Sequence, residues 1–294
     1  MFKNVLVGVD GRASGRDAIA LASQLTEPGG AITFAHVIPG VFKPSHAVVP
    51  GRVQDDREEA ERLLEDERAK ASIDAKLAVV QAPSPGQGLH EHAEVIDADL
   101  LVLGTCRHGI VGRAILGNDT RAAINGAPCA IAVAPLGYAE HPHALHTIAV
   151  GYDRSNEAKA ALAAGKALAE QTHAKVRARQ VVSIPYTGWI GPIGIGIDEM
   201  IDEAQAYMSD LPDVQGDAVY GLTSEELAVF GGECDILIVG SRGYGPARRL
   251  MLGSTSNNLQ GRARGPLLII PRGTRFSDAA ASDGRGRAQE PVPA

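Results

Sequence analysis

Residues 5–10 read VLVGVD, and residues 148–153 read IAVGYD. Each is a short aliphatic run of the kind found in strands buried on both faces, closed by a glycine and an aspartate. The correspondence continues downstream in the same order. Residues 98–104, ADLLVLG, match CDILIVG at 234–240, and residues 126–135, GAPCAIAVAP, match ARGPLLIIP at 263–271. Asp10 and Asp153 stand 143 positions apart, while Gly104 and Gly240, like Pro135 and Pro271, stand 136 apart. Three matches in one order with a single length change of seven indicate a duplicated unit, far longer than a solenoid repeat.

Within each copy, strand and helix patterns alternate. Copy one reads as strands at 5–9, 31–38, 75–80, 100–103 and 129–134, with helices at 13–25, 52–71, 86–97 and 117–125. Copy two repeats the order, with strands at 147–150, 174–182, 214–220, 235–239 and 267–270 and helices at 155–171, 197–209, 223–231 and 254–263. Its second helix is the shorter one and accounts for most of the seven missing residues. Such alternation implies parallel pairing with right-handed crossovers, so the expected fold class is α/β: two tandem doubly wound domains of five strands, with helices on both faces. The expected boundaries are 1–140 and 145–273, joined by a linker at His141–Leu145. Residues 274–294 have no periodicity and almost no large apolar side chains, and read as a disordered tail.

Composition narrows the function classes. The 294 residues are 45% hydrophobic but only 4% aromatic, so the core must be built from Ala, Val, Leu and Ile. A net charge of −7 is a poor match to general nucleic-acid binding, which wants a basic face. The three cysteines, Cys106, Cys129 and Cys234, show neither CxxC spacing nor a disulfide framework. The N-terminal segment lacks a signal-peptide pattern, and no apolar run approaches the ~18–20 residues of a membrane span. The expectation is a soluble cytoplasmic protein.

In an open doubly wound sheet, ligands bind beyond the carboxyl ends of the strands, where strand order reverses. Each copy places an aspartate there, Asp10 and Asp153, together with the loop that follows its fourth strand. In copy two that loop has the spacing G-x2-G-x9-G-S, formed by Gly240, Gly243, Gly253 and Ser254. Gly240 and Gly243 would let the backbone approach an anion, and Gly253 and Ser254 open a helix whose N–H groups and dipole favour phosphate. Arg242, Arg248 and Arg249 add positive charge, and the loop carries no acid. Asp153 is placed to bond a ribose hydroxyl or to help hold magnesium. The competing reading makes the glycines a tight strand–helix connection and the aspartate a helix cap.

These residues resemble the signature of the universal stress protein family, an aspartate after strand one and G-x2-G-x9-G-(S/T) after strand four, over residues 1 to about 272. The resemblance implies a five-stranded parallel sheet in the order 3-2-1-4-5 and, for one branch of the family, ATP at this loop. Carried over, it assigns the nucleotide to Asp153, Gly240, Gly243, Gly253 and Ser254, with the main chain of Val181 at the adenine edge. Copy one departs from the pattern. Arg107 stands at the second glycine position, Asn118 at the Ser/Thr position, and Asp119 where copy two has Thr255. A carboxylate at a helix start repels phosphate, so Asp10, Val37, Gly104, Arg107, Gly117 and Asn118 form the weaker candidate set.

Other signals carry less. No P-loop and no nucleophile elbow is present. His90 and His92, like His141, His143 and His146, lack zinc spacing and read as solvated. Cys106 reads as a small filler, and the apolar, glycine-rich segment 188–196 as a packed loop. The expected function is an ATP-binding stress or regulatory module with magnesium optional, domain two being the stronger site. A slow magnesium-dependent ATPase and a nucleotide-free scaffold are the alternatives, and no dedicated general base accompanies the loop. The last strands, 129–134 and 267–270, should lie at sheet edges. In the resembled family such strands pair across a dimer, which here predicts pairing within one chain, with a homodimer as the further expectation.

Overall fold

The computed structural model describes residues 2–40, 52–105, 123–183, 196–241, 258–259 and 265–271. The tail from 274 and most of both glycine loops lie outside them. Copy one contains β1 (Phe2–Gly8), α1 (Ala13–Leu25), β2 (Thr26–Pro39), α2 (Arg52–Ala71), β3 (Ala75–Ala82), α3 (Pro85–Val95), β4 (Leu100–Gly104) and β5 (Ala130–Ala134). Copy two contains β6 (Thr147–Gly151), α4 (Asn156–Thr172), β7 (Lys175–Val182), α5 (Ile197–Ser209), β8 (Gln215–Tyr220), α6 (Thr223–Gly232), β9 (Ile236–Gly240) and β10 (Leu267–Ile270). The second helix has 20 residues in copy one and 13 in copy two, which matches the seven-residue length change. Of the last helix in each copy, only Ala123–Ile124 and Asn258–Leu259 fall among the described residues, and both pairs are helical.

Local chemistry explains the elements. Val5, Leu6 and Val7 are fully buried, as a strand covered on both faces requires. Ala18, Leu21, Ala22 and Leu25 of α1 bury one helical stripe. Ser84 caps α3 by accepting from the Gln87 N–H at 3.3 Å, ahead of a proline in the first turn. Strand β2 starts five residues earlier than its hydrophobic run, because Thr26 pairs with Phe2 before the register shifts.

All ten strands form one sheet, ordered β3-β2-β1-β4-β5-β10-β9-β6-β7-β8. Each half therefore runs 3-2-1-4-5, and its own pairs are parallel. The halves join where β5 meets β10 antiparallel, with Ile131 opposite Ile269 and Ala132 opposite Leu268. The buried side chains divide by face rather than by copy. One core layer takes Val5 and Val7 with α1, α4, Ile148, Leu268 and Ile270. The other takes Leu6 with Leu89, Leu227, Phe230, Leu267 and Ile269.

The linker is fastened more tightly than its composition suggested. The buried Asp17 carboxylate of α1 accepts from the N–H groups of Gly137 at 2.9 Å and Ala139 at 2.8 Å, at the start of a 3-10 turn, Tyr138–Glu140. The Tyr138 hydroxyl donates to Gln24 at 2.8 Å, and burial pushes that phenol up to about 12. Gln24 in turn donates to the His143 carbonyl at 3.0 Å.

The duplication extends to a hydrogen-bonding device. Asp99 accepts from the N–H groups of Lys3 at 2.7 Å and Asn4 at 3.1 Å, fixing the start of β1. Asp235 does the same for β6 with His146 at 2.8 Å and Thr147 at 2.7 Å, and adds the Thr147 hydroxyl and His143 Nε2. Burial raises both carboxyls. At Asp99 it outweighs the donors and the pKa rises, whereas at Asp235 the extra partners prevail and it falls. A carboxyl depressed in the fold stabilises above its unfolded value of about 3.9, and that contribution is lost as pH falls through the lower folded value. Asp235→Asn should therefore cost about 1 kcal/mol at pH 7. Urea midpoints should show the deficit shrinking as the pH is lowered through the carboxylate range. A deficit that grows on acidification would contradict this reading.

Candidate functional site

The crossovers from β1 and β4 leave toward opposite faces, so a crevice opens at the carboxyl ends of these strands, and likewise at β6 and β9. Asp10 and Asp153 stand there with exposed carboxylates. Their local engagement differs. Asp10 accepts from the Arg12 N–H at 3.0 Å and from the Ser14 hydroxyl at 3.1 Å, so both oxygens are in use. Among the described residues Asp153 accepts through Oδ1 alone, from the Ser155 N–H at 3.1 Å. Ser155 then caps α4 through the Ala158 N–H at 3.1 Å, a task that no side chain performs at the start of α1. Neither aspartate caps its helix, since each bonds the N–H of the residue just ahead of the first turn, and Asp10 is the more heavily engaged of the two.

Gly104 and Gly240 have a packing reason that the sequence did not reveal. A Cβ on Gly104 would lie 1.9 Å from the Ser14 carbonyl oxygen, and one on Gly240 would lie 2.7 Å from the Glu157 carbonyl. The first turns of α1 and α4 pass directly over the ends of β4 and β9, and only glycine admits them. The next residues, Thr105 and Ser241, are buried and donate their N–H groups to Ala134 at 3.1 Å and Ile270 at 2.9 Å. These bonds tie the root of each loop to the central strands.

Val37 and Val181 sit half-buried near the ends of β2 and β7, opposite Val80 and Val219. Val37 packs against α3 at Gly88, where an added Cβ would come within 2.9 Å of its side chain. The described structure therefore gathers Asp10, Val37 and Gly104 at one crevice and Asp153, Val181 and Gly240 at the other. Arg107, Gly117, Asn118, Arg242, Gly243, Gly253, Ser254 and Thr255 lie outside the described residues, as do Cys106, Asp119 and residues 188–195.

Beside Asp153 stands a cluster that sequence reading missed. Tyr152 is buried after β6 and stacks on Tyr207 of α5, with ring centroids 6.3 Å apart and planes 16° apart. Burial, together with the Tyr207 hydroxyl 3.4 Å away, pushes the Tyr152 phenol up to about 12. The Arg154 guanidinium lies 4.1 Å over the Tyr207 ring and bonds Gln180 and Glu203, each at 3.2 Å. Its one sequence signal is an arginine aligned with Gly11 of copy one. His90 and His92 differ from the solvated reading, whereas His141, His143 and His146 are exposed, as it expects. His90 bonds the Ala123 carbonyl, and His92 Nε2 is buried without a partner, so desolvation lowers its pKa. His143 joins Asp235. Among the described residues no group of three or more His, Cys, Asp or Glu could hold a metal ion, and no helix is long and apolar enough to cross a membrane.

The model of the Universal stress protein family matches residues 1–135 and 144–271. A curated relative from Thermus aquaticus, described as a universal stress protein in the QAH/OAS sulfhydrylase 3' region, is 27% identical over 135 residues. That alignment covers 97% of the relative and 45% of this chain, about one copy. Among solved structures, a universal stress protein from Archaeoglobus fulgidus DSM 4304 superposes with a TM-score of 0.66 at 16% identity, covering 92% of this chain and 99% of its own. At that identity the likeness concerns the fold alone.

Proposed function

The chain belongs to the universal stress protein family, matched over both copies, and from that premise we propose that it is an ATP-binding stress-response or regulatory protein whose stronger site is the crevice of copy two. The observation that carries this reading is the intact glycine pattern at Gly240, Gly243, Gly253 and Ser254 behind an aspartate that accepts one hydrogen bond among the described residues. In this reading Asp153 accepts from a ribose hydroxyl and the main chain of Val181 meets the adenine edge. The N–H groups at Gly243 and Gly253, the Ser254 and Thr255 hydroxyls and Arg242 receive the phosphates, with or without magnesium. Gly240 contributes through the helix packing it permits.

Copy one offers Asp10, Val37, Gly104, Arg107, Gly117 and Asn118 on poorer terms. Both Asp10 oxygens are already engaged, and Asp119 opposes phosphate at the helix start. No positioned base stands in the described crevice beyond the aspartate, which favours holding nucleotide over turning it over. We place this activity in the cytoplasm.

Mass spectrometry of small molecules released from the denatured protein, followed by calorimetry with ATP, tests the assignment. Gly243→Arg combined with Ser254→Asn should weaken binding about thirtyfold, from about 1 kcal/mol for each of the two lost donors or close contacts. Asp119→Thr should strengthen copy one. Equal affinities at two sites, or loss only when the copy-one loop is altered, would overturn the preference. Phosphate release at a steady rate would favour the slow ATPase, and no nucleotide binding at all would leave the scaffold.

A further inference from the structure

Five non-glycine residues among those described have a left-handed backbone: Ser72, Asp97, Arg154, His173 and Asp213. Three of them, Ser72, Asp97 and His173, come just after α2, α3 and α4, where this conformation commonly closes a helix, and Asp213 lies in the connection from α5 to β8. Arg154, at φ +64°, is the exception, lying between β6 and α4 and directly after Asp153. Strain in a bulky residue persists when the surroundings hold it, and here they do. Tyr207 and Glu203 of α5 and Gln180 of β7 all grip the guanidinium. Copy one has no counterpart. Gly11 takes the same left-handed turn at φ +72°, and a Cβ there would meet Leu63 at 2.8 Å.

Helix α5 is lightly anchored. Only Ala204 and Met208 of its 13 residues are buried, against eight in α1. Among the described residues its other ties include the bond from the Ala218 N–H to Gln205 at 2.9 Å, the close approach of the Met208 carbonyl to Gly216, the Tyr152–Tyr207 stack and the two Arg154 contacts. An element with few buried apolar contacts opens at low free energy, so its stability responds to one or two polar ties. Three of these ties run to residues on either side of Asp153.

We propose that Arg154 is a positioning residue that couples ligand binding at the Asp153 crevice to helix α5, making α5 the responsive element of copy two. The inference rests on the nucleotide reading above and assigns the regulation of that site. A ligand that engages Asp153 changes the turn shared with Arg154, and the guanidinium transmits that change to Tyr207 and Glu203. Copy one, with Gly11 at this position, carries no such link to α2.

The test is hydrogen exchange by mass spectrometry on the full chain, with and without ATP, at nucleotide concentrations that calorimetry shows to be saturating for each protein. In the wild type, ATP should change amide exchange in residues 197–209 by at least about fivefold, the lower end of ordinary coupling between sites. In Arg154→Gly, which accepts the same backbone, that ATP-dependent change should vanish, while Arg154→Lys should restore part of it. A purely structural arginine would leave the ATP-dependent change equal in wild type and Arg154→Gly, and that result overturns the proposal. ATP bound to wild type without any change in α5 exchange overturns it as well. No ATP binding to wild type overturns the nucleotide reading and this inference together.

Discussion

Gly104→Ala should cost about 3 kcal/mol of folding stability, at the upper end of ordinary overpacking. The added methyl would sit 1.9 Å from the Ser14 oxygen and 2.5 Å from its carbonyl carbon. Ordinary contact begins near 3.4 Å, and the obstruction is main chain, which has no rotamer to escape into. Helix α1 would have to retreat, dragging Asp17, Ala18, Leu21 and Leu25 out of their packing. Gly240→Ala meets Glu157 at 2.7 Å and should cost less, about 1–2 kcal/mol. Urea titrations of the two variants check the ranking, and a loss below about 1 kcal/mol for Gly104→Ala would show that the helix start yields freely. One consequence bears on ligand mapping: reduced nucleotide binding in Gly240→Ala would report a displaced helix, so Gly243 and Gly253 are the informative glycines.

Separating the copies should have the other large effect. Every residue of β5 and β10 is at most 4% exposed in the intact sheet. Cutting between the halves opens both strand edges and uncovers Ile131, Leu267 and Ile269 along the join. If about half of the ~1.5–3 kcal/mol per large apolar side chain is lost at these three, the two halves together forfeit about 2–4 kcal/mol. That is a large fraction of the 5–15 kcal/mol that typically holds a domain. Residues 1–140 also lose the bond from Gln24 to the His143 carbonyl. Residues 1–140 and 145–294 expressed separately should therefore aggregate or self-associate through the bared strand, and should recombine when mixed. Sedimentation of each half reads this directly, and two monomeric halves with cooperative unfolding would contradict it.

The elements and their order were legible because they are written locally. Aliphatic runs of five residues and a helical stripe at Ala18, Leu21, Ala22 and Leu25 each act within a dozen residues of chain. Parallel alternation and the duplication followed from these, and so did the placement of Asp10 and Asp153 at the strand ends. The candidate site was legible to the same depth: which residue types reach the crevice, and which glycine spacing suits a phosphate.

Sequence by itself determined the α/β repeat, the 3-2-1-4-5 family resemblance and the asymmetry between the two loops. Only the tertiary structure decided that the cores divide by sheet face, that Gly104 and Gly240 are required by a passing helix, and that Asp99 and Asp235 pin the first strands. It alone brought Arg154 onto Tyr207. In each case the partners lie far apart in the chain, from 53 positions for Arg154 and Tyr207 to 96 for Lys3 and Asp99. A glycine or an aspartate looks the same in sequence whatever meets it across such a distance. What meets it is set by the packing of whole elements, and periodicity within one element carries no record of that.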